Sequence, residues 1–271
     1  MARMARMALL YLLLTLFAIT TLAPFLWMVL TSLKPLEEVE RLHPFPSTWR
    51  FDNYQQVLVQ IPFARYYFNS LFVAAWVTFL TCLTSAMAAF AFARLRWRFR
   101  DGVFRLYLAT LMVPGVVTMI PNYTLMVKLQ LLDSYAGLIV PSAFSAFGTF
   151  LLRQFFLTIP AALDEAAEID GASKWQVFWD VVLPLARPGL ITLALFTFMG
   201  NYGSFFWPLV LIKSEHLRTL PIGMLFFDST YGRQTNLLMA ASLMNIAPLI
   251  VLFVVAQKFL VRGIQMGAVK G

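Results

Sequence analysis

The chain has 271 residues, of which 60% are hydrophobic and 13% charged, with a mean hydropathy of +0.75. A water-soluble domain of that length cannot hide so much apolar surface, so composition places the chain in the membrane class. The net charge of +8 and pI near 9.8 do not indicate nucleic-acid binding, because the basic residues lie between apolar stretches. The single cysteine, Cys82, sits inside an apolar run and excludes a disulfide framework or a paired-cysteine metal site.

Six stretches without Asp, Glu, Lys or Arg are long enough to cross a bilayer, which takes about 20 apolar residues. They are Met7–Leu33, Tyr66–Ala93, Leu106–Val127, Ser134–Leu152, Pro188–Ile212 and Thr235–Gln257. The first follows Arg3 and Arg6 in the manner of a signal peptide. It exceeds a signal's apolar region and lacks a small-residue cleavage site, so it reads as a retained anchor. Pro114-Gly115, Pro121, Pro141, Gly200, Gly203 and Pro248 interrupt the spans and predict kinks. Ala74, Ala75, Ser85, Ala88, Ala89 and Ala91 give the second span small faces for close helix packing, within this chain or against another subunit.

Thirteen of the 21 basic residues, including the Arg94–Arg100 run, fall on the same side as both termini and the Ile159–Pro188 loop. The positive-inside rule makes that side cytoplasmic. The expected fold is therefore an all-α integral membrane domain over residues 1–271, with six transmembrane helices and both ends inside. On the outer side, Lys34–Arg65 and Lys213–Gln234 are the large loops. Trp49, Phe51, Tyr54 and Phe63 fit a docking surface or an aromatic belt, and Tyr66 and Tyr67 fit the belt. His43 and His216 stand far apart and form no metal motif.

Polar residues inside spans are the natural contacts for a solute. Asn122 and Tyr123, then Asn201, Tyr202, Ser204 and Trp207, then Ser242 and Asn245 are those residues. Amides, hydroxyls and an aromatic plate match a sugar, although Asn and Ser also serve simply to join helices.

The longest charged stretch on the inner side is Ile159–Pro188. Pro160 suits a first helical turn, and Asp164 and Glu165 favour a helix N-terminus. Asp170-Gly171 ends that helix and Ser173 caps a second. Trp175, Phe178, Trp179 and Val182 then fall on one apolar face by helical spacing. The alanines at 161, 162, 166, 167 and 172 keep the first helix thin enough for another protein to approach its backbone. A helix–turn–helix lying in the headgroup region and one docking into a partner both fit these residues.

Glu165-Ala166-Ala167, Asp170-Gly171-Ala172, Phe178 and Leu183-Pro184-Leu185 closely resemble the cytoplasmic EAA loop of ABC importer permeases. That resemblance implies a coupling loop, over 159–188 between the fourth and fifth spans, that docks on an ATP-hydrolysing subunit. Nearly the whole chain resembles the smaller permease of the maltose type, a carbohydrate-uptake family that includes glycerol-phosphate importers. Phe51-Asp52-Asn53-Tyr54, Pro121-Asn122-Tyr123, Trp207-Pro208-Leu209 and the terminal Gly267–Gly271 carry that likeness. The family's W-N-[DE] triplet is replaced here by Tyr202-Gly203-Ser204, which removes an amide and a carboxylate. Lys270 in the tail is placed by the resemblance near the ATPase interface.

The resemblance implies import of a sugar or glycoside into a bacterial or archaeal cell, across its plasma membrane. It implies a second permease subunit, two ATP-binding subunits and a periplasmic or lipid-anchored solute-binding protein. No glycine is followed by lysine, so the chain has no P-loop, and ATP and Mg belong to the partner. An ion-coupled secondary transporter is the alternative, but it calls for ionisable groups within the spans, and there are none. No catalytic motif of a membrane enzyme appears, and the chain itself is expected to hold no cofactor.

Overall fold

In lipid the backbone must satisfy its own hydrogen bonds, and a helix does so within one segment. The computed structural model describes residues 2–41, 43–229 and 233–268, and every regular element among them is helical. In chain order these are α1 (Ala2–Ser32), α2 (Asp52–Gln60), α3 (Phe63–Arg94), α4 (Arg100–Ala109) and α5 (Gly115–Lys128). They are followed by α6 (Tyr135–Ile139), α7 (Ala146–Thr158), α8 (Ala162–Ile169) and α9 (Lys174–Gln176). A π-helical segment, Val177–Val182, joins α9 to α10 (Leu183–Leu185), and α11 (Arg187–Tyr202) and α12 (Phe206–Leu211) come next. The chain finishes with α13 (Leu220–Gly223), α14 (Phe226–Ser229) and α15 (Thr235–Ala268).

Three of the expected spans are continuous apolar helices: Arg6–Ser32, Phe63–Arg94 and Thr235–Val255. The third is not one helix. Val113-Pro114 separates Arg100–Met112 from Gly115–Lys128 with a bend of 98°. Proline removes a backbone donor and clashes with the preceding turn, so α4 runs out through the 3-10 turn Thr110–Met112 and α5 starts after Pro114 in a new direction. The fourth is divided between α6 and α7, and the fifth between α11 and α12.

One compact unit comprises residues 1–67 and 220–247. The apolar length of α1 is exposed along its whole membrane-crossing window, whereas Thr31, Ser32, Leu33 and Lys34 at its end are buried. The last carbonyls of a helix lack intrahelical donors. Asn53 supplies them: its Nδ2 donates to Ser32 O at 2.8 Å and Lys34 O at 3.0 Å. Asn236 Nδ2 also reaches Lys34 O at 3.3 Å, and the Lys34 ammonium donates to His43 O and lies 4.8 Å from the Trp27 ring. Val57, Ile61, Phe63, Tyr66, Leu220, Phe227 and Leu237 form the core here. Tyr66, expected at the membrane interface, is a core residue because Gly223 lets its ring lie against the backbone.

The second unit comprises residues 68–219 and 248–271. Its main core joins α3, α7, the π segment and α11 through Ala86, Ala89, Phe90, Leu152, Phe156, Phe178, Val182 and Leu193. Several small residues of the second span pack inside this chain: Ala74, Ser85 and Ala89 are buried. Gly148 permits that approach on α7, since a Cβ there would stand 2.6 Å from Ser85 Oγ. The break between α6 and α7 leaves carbonyls that α3 satisfies, Thr81 Oγ1 donating to Ser142 O at 3.0 Å and Thr84 Oγ1 to Ala143 O at 2.7 Å.

A smaller core of Val73, Val77, Met126, Leu138, Leu211 and Ile212 lies beneath the segment after α12. Two residues hold that segment in place. Asp133 Oδ1 accepts from Lys213 N at 2.9 Å and Ser214 N at 2.8 Å, and its carboxylate also accepts from the Ser214 hydroxyl. These bonds, the Ser214 hydroxyl foremost, hold the Asp133 carboxyl below its ordinary pKa. Asn69 Nδ2 donates to His216 O at 2.9 Å and Arg218 O at 2.8 Å, while Tyr135 OH donates to Asn69 Oδ1 at 2.7 Å.

Candidate functional site

The Ile159–Pro188 stretch folds as two helices set at a turn. Pro160 stands just ahead of α8 rather than inside its first turn, and Ala161 is the N-cap. Asp170 closes α8, and Gly171 takes φ +87°, the left-handed conformation that glycine adopts without strain. Ser173 and Gln176 form a reciprocal capping box: Ser173 Oγ accepts from Gln176 N at 3.3 Å, and Gln176 Oε1 accepts from Ser173 N at 2.8 Å. Lys174 pairs with Glu168 across the turn.

Helical spacing placed four large residues on one face; the structure divides them. Phe178 and Val182 are buried, whereas Trp175 and Trp179 are 56% and 40% exposed. The reason is the π segment: its i→i+5 bonding widens the turn, so residues three apart diverge while those four apart, Phe178 with Val182 and Trp175 with Trp179, keep to one side. Trp179 instead meets Phe178 edge-on at 5.1 Å and Trp175 at 5.8 Å, and Phe178 packs on Phe90 at 5.2 Å. The loop is thus fastened from below by Phe178. Above, α8 presents Glu165 and Ala166 to the outside, with Ile169 85% exposed, and Asp170 and Gly171 are exposed as well. Ala167 and Ala172 are half-buried on the core.

Asp164 is the buried residue of α8. Its Oδ2 lies 3.0 Å from Arg94 Nε, and Arg94 Nη2 donates to Ile159 O at 2.9 Å. Burial raises the Asp164 pKa above its ordinary value against the opposing pull of Arg94. Beside this pair a groove of about 990 Å3 runs between the Ala93–Arg100 segment and Asp164, Glu165, Glu168 and Lys174. Sequence reasoning treated Arg94 only as a topology anchor; the signal that sets it apart from its neighbours is three-dimensional.

Of the polar span residues, Asn201, Ser204 and Trp207 line a small cavity of about 90 Å3 with Ser70, Ser142 and Thr219. Asn122 lines a wider one of about 640 Å3 with Thr118, Pro141, Phe206 and again Ser142 and Trp207. Neither lining includes a charged side chain. Tyr202 is not with them: it is 1% exposed and stacks on Phe198 at 5.7 Å. Tyr123 packs against the smaller core, and Asn245 lies half-buried on α15 in the other unit. Ser70, Thr118, Ser142 and Thr219 are the additions sequence reading missed. A lone hydroxyl, in an apolar run or at the end of a loop as at Thr219, gives no signal of which way it faces.

Against known proteins, residues 81–265 match the model of the family described as binding-protein-dependent transport system inner membrane component. The chain belongs to this family. Its sequence is 34% identical over 253 residues to the arabinooligosaccharides transport system permease protein AraQ of Halalkalibacterium halodurans, covering 92% of this chain and 91% of that protein. The lactose transport system permease protein LacG of Rhizobium radiobacter is 30% identical, with 96% and 95% covered. The sn-glycerol-3-phosphate transport system permease protein UgpE of Yersinia pestis is 37% identical over 205 residues, with 75% and 73% covered. The structure matches a crystal structure of a bacterial ABC transporter involved in the import of alginate, at TM-score 0.84 and 26% identity over 95% of this chain and 97% of that one.

The resemblance to importer permeases is therefore borne out, and this inner membrane component is a permease subunit rather than an enzyme. The family match includes the whole Ile159–Pro188 stretch. Lys270 and its neighbours 269 and 271 lie outside the described residues.

Proposed function

We propose that this permease component belongs to an ATP-driven importer and moves a sugar or glycoside into a bacterial cytoplasm by alternating access. In this reading α8, Gly171 and α9 dock on an ATPase subunit, with Glu165, Ala166, Ala167, Asp170, Gly171 and Ala172 at the contact. The observation that carries it is the form of the loop: an exposed, thin helix whose base is pinned by the buried Phe178. A docking element needs that combination of an open face and a rigid root.

ATP and Mg act on the partner subunits, of which there are two, and a second permease completes the membrane part. A solute-binding protein delivers the cargo from outside. The three continuous helices and the three broken spans then count as six crossings of the plasma membrane, with both termini and the 159–188 loop inside. Asn122, Asn201, Ser204 and Trp207 line the route with amides, a hydroxyl and an aromatic plate. The names of the relatives, which include transporters of arabinooligosaccharides and lactose, support a carbohydrate cargo.

The test is co-purification of the tagged chain from its native membrane with an ATPase assay on the eluate, for wild type and Gly171→Arg. The variant places a long side chain at φ +87° on the exposed turn, where no neighbouring atom lies within 4 Å of a Cβ. An ATP-hydrolysing subunit should accompany the wild type and be lost or uncoupled in the variant. Uptake driven by a proton or sodium gradient, with no ATPase in either preparation, would sink the reading.

A further inference from the structure

The sequence offers Arg94 as one of a run of arginines, but its surroundings differ from those of its neighbours. It is the last residue of the 32-residue α3, and its guanidinium reaches both sides of the α7–α8 elbow. One contact is to Ile159 O, which follows α7; the other is to Asp164, in the first turn of α8. These two helices meet at 77°. A single side chain therefore spans the bend from below, with the Arg94 and Asp164 side chains only 10% and 11% exposed. Exposed ion pairs contribute little, but a buried charge that loses its partner is strongly destabilised.

We propose that Arg94 is a positioning residue for the coupling loop, bracing the elbow so that movement of α8 is delivered to α3. This rests on the docking reading above. The planar guanidinium suits the task because it directs separate N–H groups at two acceptors, which a lysine ammonium cannot hold in the same fixed geometry. The Ile159 carbonyl sits at a helix end, where it needs an outside donor. The contact to Asp164 is held by charge rather than by alignment. Arg94 Nε–H is not directed along a hydrogen bond, and Asp164 Oδ1 is buried without a partner among the described residues. Such a contact tolerates small displacements of α8 while the directed bond to Ile159 keeps the elbow in register.

The experiment uses the full transporter, with its ATPase subunits and binding protein, in proteoliposomes supplied with lactose or an arabinooligosaccharide, whichever the wild type imports. It reads ATP hydrolysed per sugar imported for wild type, Arg94→Gln, Arg94→Lys, Asp164→Asn, Gly171→Arg and the exposed control Arg98→Gln. Arg94→Gln should keep its ATPase partner yet raise that ratio about tenfold, within the range usual for coupling between sites. Arg94→Lys and Asp164→Asn should fall between, and Arg98→Gln should match wild type. A wild-type ratio in Arg94→Gln and Asp164→Asn, while Gly171→Arg is uncoupled, overturns the brace and leaves the docking reading standing. Full coupling in Gly171→Arg overturns the docking reading itself. If Arg94→Gln does not assemble, the Arg94→Lys ratio decides: raised supports the brace, unchanged overturns it.

Discussion

The elbow around α8 and the cavities beside α12 belong to the same compact unit, yet they are built on opposite principles. At the elbow, Leu152, Phe156, Phe178 and Val182 are at most 1% exposed, and the turn is specified by a left-handed glycine and a capping box. Around the cavities α6 has five residues and α12 six, and the backbone that follows α6 relies on side chains of α3 for hydrogen bonds. Packing that is dense and redundant transmits displacement, because a core has few alternative arrangements. A wall of short helices and scattered polar groups can instead accommodate a solute and release it.

That contrast is open to a direct challenge by substitution. Phe178→Ala strips the residue on which Phe90, Trp175 and Trp179 all rest, and should cost about 3–5 kcal/mol. The reading is the midpoint of thermal unfolding of the purified complex in detergent; an unchanged midpoint would mean that the elbow is not rigid. Ser173→Ala removes the capping-box acceptor from an exposed position and should cost about 1 kcal/mol by the same measurement. Trp207→Ala should cost less stability than Phe178→Ala, because Trp207 is only half-buried against the smaller core. Its signature is functional: the KM for sugar uptake should rise about tenfold, the equivalent of about 1.4 kcal/mol of lost binding. A large stability loss at Trp207 with unchanged KM would erase the distinction between the two regions.

Much of the elbow was legible because its signals are local. Gly171, Ser173 and the carboxylates of α8 act within a turn or two of their own position, where residue chemistry dictates backbone shape. The face of the second helix was misread because the π segment changes the period, and spacing rules assume 3.6 residues per turn. The cavity was legible by residue type but not by direction. Asn201 lines it while the adjacent Tyr202 points into the core, a difference of about 100° around one helix. Long-range anchors such as Asn53, Asn69 and Asp133 were not identified, since an isolated amide or carboxylate does not name its distant partner. Proline marked where the third span is interrupted, but residue type alone did not distinguish a kink from a 98° turn.

The π segment between α9 and α10 also sets how this region tolerates changes in length. A π turn closes its hydrogen bonds one residue later than an α turn, so Val177–Val182 carries slack that an ordinary helix lacks. Deleting one residue there would let the chain close as a regular α-helix without a gap. Everything after it, from Leu183-Pro184-Leu185 onward, would then keep nearly its present orientation, because six residues of the wider turn cover about the same arc as five of an α-helix. The same deletion inside α8 would have no slack to absorb it. Insertions and deletions in this loop are therefore a matter of phase as much as of length, and the wide turn is where a residue can be lost with the least change of phase.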